Sequence, residues 1–512
     1  MWNGKYLIAV IIVTLLVAGA RTVAQRAQAL PSRRQAFSPV IPKTWDDAAM
    51  ATLEVPLADP VGSPNHVSAD YYYRTPVRPI YKSYPIYAPG HEPQGYMDWL
   101  KRQEPQIVWD DKGHAPPLKT QADWIKAGEM VFDAPVGSPG SVSEGDVRNP
   151  AWYHHAGVPT DREGIMPFLV YVIRKKGTVE IGVSSCGTCH TRLMPGGKIV
   201  KGAQGNFPFE RALFGKPIPH DLLLPILQDS FGAPWIKPDP LAPADAMSAE
   251  QIAAMSNAIP AGVVGRQGTS ILYPVQTPDL IGVKDRRYLD HTGLQQHRSI
   301  TDLMRYATIN QGEDLLASFA GFIPAGTPPR FEDRPDPAKS SRYSDEQLYA
   351  LALYVYSLKP PPNPNKFDTV AAHGKKVFER EGCAMCHTPP LYTNNKLTLA
   401  EGFTPPPGAD KKYDILPISV GTDPGLATKT RRGTGYYKVP SLKGVWYRSM
   451  FGHSGWCATL EDWFDPRRTH DDYVPTGFKP YGAKTYPVKG HPFGLDLSAE
   501  DKKALIAFLK TL

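Results

Sequence analysis

Four of the five cysteines stand in two short motifs, Cys186-Gly187-Thr188-Cys189-His190 and Cys383-Ala384-Met385-Cys386-His387. Two thiols one turn apart, followed at once by a histidine, suit one chemistry above others. Both sulfurs add to the vinyl groups of a haem and the imidazole ligates its iron. A dithiol redox pair does not need the histidine, and a zinc site would have to draw its ligands from motifs 197 residues apart. Two covalently bound c-type haems are therefore expected, on Cys186 and Cys189 and on Cys383 and Cys386, with His190 and His387 as proximal ligands. Cys457 is left over and reads as a small buried hydrophobe, since an odd count argues against a disulfide scaffold.

The surroundings of the two motifs repeat, and a repeat resets the expectation of fold. Gly128-Glu129-Met130-Val131-Phe132 precedes the first motif and Gly374-Lys375-Lys376-Val377-Phe378 the second. Phe378 lies 5 residues before Cys383 but Phe132 lies 54 before Cys186, so the first copy carries an insertion of about 49 residues. Downstream, Pro278-Asp279-Leu280-Ile281-Gly282-Val283 pairs with Pro440-Ser441-Leu442-Lys443-Gly444-Val445, Arg286 with Arg448, and His291-Thr292-Gly293 with His453-Ser454-Gly455. Each half closes on an amphipathic helix, over 344–358 and 498–512, that opens on a capping serine.

This pattern predicts a mainly α fold with two cytochrome c-like haem domains and long irregular loops. The first spans 120–359 and the second 366–512, joined by a stiff proline linker over 360–365. Residues 30–119, rich in proline and tyrosine, read as an extended segment wrapping the haem domains, its tyrosines serving as packing groups. Little helical periodicity appears there before Gly95–Glu104. Residues 1–29 read as a signal peptide or N-terminal anchor. Lys5 precedes an apolar, charge-free run from Tyr6 to Ala20, short for a membrane span, and small-residue cleavage sites follow at Ala20 and Ala29. Export and thiol-bound haem both point to the periplasm, with membrane attachment only if that segment is retained.

Composition narrows the partners. The 53 prolines among 512 residues are about twice the usual ~5% and foretell many irregular connections. A net charge of +7 is mild for this length, and cleavage after Ala29 would remove Lys5, Arg21 and Arg26. Nucleic acid is not an expected partner.

The side of each iron opposite its proximal histidine decides function, because an iron with two strong protein ligands moves electrons and an open one binds oxidants. For the second haem the candidate distal ligand is His491, with His470 and Met450 as alternatives. The position aligned with His491 in the first half is Pro337, as expected if the two sites differ. For the first haem no compelling sixth ligand appears. Met194 lies too close to His190, while His297, Met304 and Glu313 lie in or near the segment after His291. His291, His297 and Glu313 remain weak candidates for acid–base work. His291 and His453 recur at one position and read first as structural hydrogen-bonding groups. Arg286 and Arg448 suggest pairing with haem propionates.

Pro440-Ser441-Leu442-Lys443-Gly444-Val445, then His453-Ser454-Gly455, then Thr459-Leu460-Glu461, with the closing Leu497-Ser498-Ala499-Glu500-Asp501, resembles the bacterial di-haem cytochrome c peroxidase superfamily. That superfamily includes the di-haem enzyme that matures methylamine dehydrogenase and the di-haem rubber oxygenases, and the wide motif spacing is most similar to the latter. The resemblance implies a relay haem on His387 and a reactive haem on His190, and it admits a calcium ion. Ser454 replaces the usual aspartate, and Arg467 stands where peroxidases carry a methionine ligand, which favours His491. The expected function is a periplasmic di-haem oxidoreductase of peroxidase or oxygenase type. Its small-molecule partners would be a small oxidant, peroxide or dioxygen, or an organic substrate, and its electron partner a small redox protein or dehydrogenase. The alternatives are a non-catalytic di-haem electron carrier and a cytochrome subunit of a larger redox complex.

Overall fold

The computed structural model describes residues 36–137, 142–265, 270–310, 317–323 and 341–512. The expected signal segment over 1–29 and the candidate Glu313 lie outside the described residues. Among the described residues no helix is long and apolar enough to cross a membrane.

In chain order, the elements that position the sites are strand β1 (Ser83–Tyr87), helix α1 (Gln121–Asp133), strands β2 (Ile165–Lys175) and β3 (Thr178–Gly182), and helices α2 (Phe209–Phe214), α3 (His220–Phe231), α4 (Ala249–Ala258), α5 (Asp345–Ser357), α6 (Thr369–Arg380) and α7 (Ala499–Lys510). Helix α1 starts where Thr120 and Asp123 form a reciprocal capping box, and α5 where Ser344 and Gln347 do. Helix α7 has half of that device: Ser498 accepts from the Asp501 amide.

The helices pack in two equivalent pairs. Helix α1 buries Trp124, Ala127, Val131 and Phe132 against Leu348, Leu351, Ala352 and Val355 of α5. Helix α6 buries Val377 and Phe378 against Leu505, Phe508 and Leu509 of α7. At both crossings a glycine lets the backbones touch. A Cβ on Gly128 would lie 1.9 Å from the Ala350 carbonyl oxygen, and one on Gly374 would lie 1.8 Å from that of Ala504. Beside each glycine the same aromatic pair forms, Phe132 with Tyr354 at 5.3 Å and Phe378 with Phe508 at 5.4 Å between ring centres. The repeat in the sequence is thus a repeat of packing.

The insertion in the first half is partly β. Its Ile165–Lys175 segment is rich in β-branched and aromatic residues, forms β2, and turns back as β3. The third strand of this antiparallel sheet comes from the N-terminal extension: β1 pairs with β2 in the register Tyr84↔Tyr171, giving the order β1-β2-β3.

The extension is less extended than its proline content implied. Ser68 caps a helix over Ala69–Arg74 that contains the whole Tyr71-Tyr72-Tyr73 run. Capping and the absence of β-branched residues within the turn win over the flanking prolines. Tyr72 stacks on Trp45 at 4.5 Å and its hydroxyl meets that of Thr308 at 3.2 Å, while the Tyr73 hydroxyl donates to Asp345 at the start of α5. The extension also reaches the second half, where the Ala58 amide donates to the Gly433 carbonyl at 2.9 Å.

Candidate functional site

The two Cys-x-x-Cys-His motifs share a backbone closure and a histidine partner but differ in their caps, since Gly382 before the second offers no side chain. In the first, the Ser185 hydroxyl caps a single helical turn over Cys186–Cys189, and the Thr188 hydroxyl ties that turn to the Phe168 carbonyl of β2 at 2.9 Å. The His190 amide closes the turn on the Cys186 carbonyl, as the His387 amide does on that of Cys383, each at 2.9 Å. His190 Nδ1 lies 3.0 Å from the Pro278 carbonyl, and His387 Nδ1 lies 3.1 Å from the Pro440 carbonyl. These prolines are repeat partners. Donation from Nδ1 selects the tautomer whose lone pair is on Nε2, the arrangement that orients an imidazole toward a metal.

The opposite faces of the two sites differ. His491 faces His387, with ring centres 6.4 Å apart. A metal–nitrogen bond of about 2.0 Å on each side, with about 1.1 Å from nitrogen to ring centre, separates two axial imidazoles by about 6.2 Å. The separation of the two rings would suit imidazoles that share one metal ion. His491 is fixed in the left-handed region at φ 46°. Its amide donates to the Val420 carbonyl at 2.6 Å, its carbonyl accepts from Arg468, and its ring lies between Trp463 and Phe493. Burial and the neighbouring His387 push the His491 imidazole down to about 3, so it is neutral, as a ligand must be. Its buried Nδ1 has no hydrogen-bond partner among the described residues. Of the alternatives, His470 is exposed and Met450 packs in the cluster around Trp456 and Phe478. The structure brings neither to His387.

The first motif borders a cavity of about 490 Å³, within the ~300–1,000 Å³ of small-molecule and cofactor sites. Cys186, Cys189, His190 and Leu351 form part of the wall, and Phe209, Leu223, Phe231 and Ile252 of α2, α3 and α4 form another part. The second half has no room for these three helices, because 53 residues separate His387 from Pro440 against 88 between His190 and Pro278.

One polar side chain on this apolar wall was missed in the sequence. Glu210 is 3% exposed. Its Oε1 accepts from the Gly265 amide, and its Oε2 has no partner among the described residues. Burial pushes its carboxyl up to about 8, with the Gly265 amide opposing. The available signal was a lone carboxylate inside the apolar run Phe207-Pro208-Phe209-Glu210-Arg211-Ala212-Leu213-Phe214.

The other candidates fall as follows. His291 borders the cavity, and its Nε2 lies 2.7 Å from the Gln276 carbonyl. His297 has both ring nitrogens engaged, by the Arg286 carbonyl at 2.7 Å and the Tyr356 hydroxyl at 2.6 Å, which suits packing rather than proton transfer. Met304 is buried in the α1–α5 core and Met194 packs beside Ile281 and Tyr447. Cys457 is fully buried. Among the described residues no three histidine, cysteine or carboxylate side chains converge to hold a metal ion.

The halves meet through equivalent residues. The Gln276 amide donates to the His453 carbonyl at 2.8 Å and the Lys438 amide to the His291 carbonyl at 3.0 Å, a reciprocal exchange across the repeat. His453 stacks on Tyr437 at 4.3 Å and is held neutral by burial and by His291. Arg286 donates to the Asp279 and Ile281 carbonyls, and Arg448 to those of Ser441 and Lys443. Both arginines brace their own proximal loops, a role the propionate expectation did not contain. They also border a small polar cavity of about 60 Å³ between the halves.

No family model and no curated protein matches the chain. Among solved structures, hydrazine synthase from Kuenenia stuttgartiensis is similar over 50% of this chain and 77% of its own, at 17% identity and a TM-score of 0.29. A MauG-like protein associated with microbial copper homeostasis is similar over 33% of this chain and 56% of its own, at 18% identity and a TM-score of 0.23. The chain therefore spans little more than half the length of the second, and at these scores neither defines its fold.

Proposed function

We propose that this chain is a periplasmic di-haem c-type oxidoreductase of peroxidase or oxygenase type, with a relay site on His387 and a reactive site on His190. The observation that supports this reading is the unlike pair of opposite faces: an imidazole, His491, across from His387, and a largely apolar cavity wall that carries the buried Glu210 carboxyl on the side of His190. Cys186, Cys189 and His190 would hold one haem and Cys383, Cys386, His387 and His491 the other. Bound there, haem supplies one-electron chemistry and, at an open position, a place for peroxide or dioxygen.

The chain's own residues do the rest. Pro278 and Pro440 orient the proximal imidazoles, and α2, α3 and α4 exclude bulk water from the first site. Glu210 holds a proton on Oε2 at neutral pH and can donate it to an oxidant. Electrons would arrive at the His387 site from a small redox protein or dehydrogenase.

Spectroscopy on the protein purified from an exporting host tests this. Two haems that stay with the denatured chain, and one carbon monoxide bound per chain after reduction, are expected. Two low-spin irons that bind no carbon monoxide would leave an electron carrier instead.

Glu210→Gln adds a second check. The folded Glu210 carboxyl titrates far above its ordinary value, so its contribution to stability is complete below about pH 4.5 and is lost as pH rises toward about 8. The variant should escape this loss, on the order of 3 kcal/mol between pH 5 and 9 in chemical denaturation. Turnover should fall by roughly 10²–10⁴-fold, and the alkaline limb near pH 8 should disappear. A retained alkaline limb would remove Glu210 from the proton path.

A further inference from the structure

One side chain touches both proximal loops. Arg448 donates through Nη1 to the Ser441 carbonyl at 2.9 Å, and Ser441 directly follows Pro440, whose carbonyl holds His387. The same guanidinium pairs with the Asp279 carboxylate, Nη2 to Oδ2 at 2.8 Å and Nε to Oδ2 at 3.0 Å. Asp279 directly follows Pro278, whose carbonyl holds His190. Each of the two linked residues is therefore one peptide bond from a proximal partner.

The link is built into the interior and runs in one direction. Both side chains are largely buried, 13% and 2% exposed. Asp279 Oδ1 accepts from its own loop at the Ile281 amide, and Oδ2 also accepts from the Tyr447 hydroxyl at 2.6 Å, so the carboxylate has little freedom. The repeat breaks here. Arg286, the counterpart of Arg448, braces its own loop through carbonyls, because the residue equivalent to Asp279 in the second half is Ser441. The reciprocal bonds from Gln276 and Lys438 join the same two segments at two further points.

We infer that Arg448 and Asp279 are positioning residues common to both iron sites, which set the two reduction potentials together through the loops that carry Pro278 and Pro440. This rests on the reading that both motifs hold haem. A buried positive charge disfavours the oxidised, more positive iron, and a buried negative charge favours it. Removing each partner should therefore move both potentials, with opposite sign for the two partners.

Spectroelectrochemical titration of the purified holo-protein tests this with Asp279→Ser, which gives the first half the second half's own residue, and with Arg448→Gln. Both couples should shift upward in the first variant and downward in the second, and the double variant should lie near the wild type. Tyr447→Phe, which removes the hydroxyl that donates to Asp279, leaves the carboxylate less compensated and keeps the volume, should shift both couples downward by a smaller amount and serves if either charge variant fails to fold. Shifts confined to one iron, or of the same sign in both charge variants, would overturn the inference. A wild-type protein without two bound haems would instead sink the underlying functional reading, so the two failures are distinct.

Discussion

Gly374→Ala should destabilise the second half of the chain by about 2–4 kcal/mol, and Gly128→Ala should do the same in the first half. The new methyl group at 374 would sit 1.8 Å from the Ala504 carbonyl oxygen and 2.9 Å from the Phe508 Cβ. Neither is the far end of a flexible side chain, so α6 and α7 must move apart. Separation loosens Val377, Phe378, Leu505 and Phe508, which form the centre of that core. Alanine's better helix propensity, about 1 kcal/mol, offsets part of this. Urea denaturation followed by circular dichroism measures the difference. A loss below about 1 kcal/mol would mean the helices are not in backbone contact.

His491→Ala should convert the second site from closed to open, so that carbon monoxide bound per chain after reduction rises from one to two. The low-spin ferric signal of that iron should vanish, while His470→Ala and Met450→Ala leave both unchanged. His491→Ala keeps the Cβ and with it the backbone cost of residue 491 at φ 46°, about 1–2 kcal/mol. His491→Gly relaxes that strain and should give the same spectrum, separating ligation from conformation. Unchanged low-spin signals in both variants would mean that His491 faces His387 without serving it.

Much of the site was legible because covalent chemistry imposes fixed spacing. Cys-x-x-Cys-His is local, so each motif's fold follows from five consecutive residues. The repeat could be read because both copies place a glycine at the helix crossing and a proline at the histidine's partner, positions where packing tolerates little else. Glu210 escaped notice for the opposite reason. A carboxylate beside phenylalanines is unremarkable until its own helix α2 packs into the fold and buries it. The tyrosine run at 71–73 was read as extended because flanking prolines dominate its composition, while one capping serine decided its conformation.

The sequence alone showed the two Cys-x-x-Cys-His motifs, the repeat that frames them, and His491 as the leading candidate to face His387. Tertiary structure decided which opposite faces they meet. His491 approaches His387 across 104 residues of chain, and the wall beside His190 is assembled from α2, α3 and α4, none of which carries a motif. Arg448 reaches Asp279 across 169 residues. Such contacts depend on chain crossings and on the exclusion of water, which sets both the protonation of Glu210 and the strength of the Arg448–Asp279 pair. Local spacing encodes bond-forming chemistry, whereas dielectric environment and long-range approach exist only once the chain has folded.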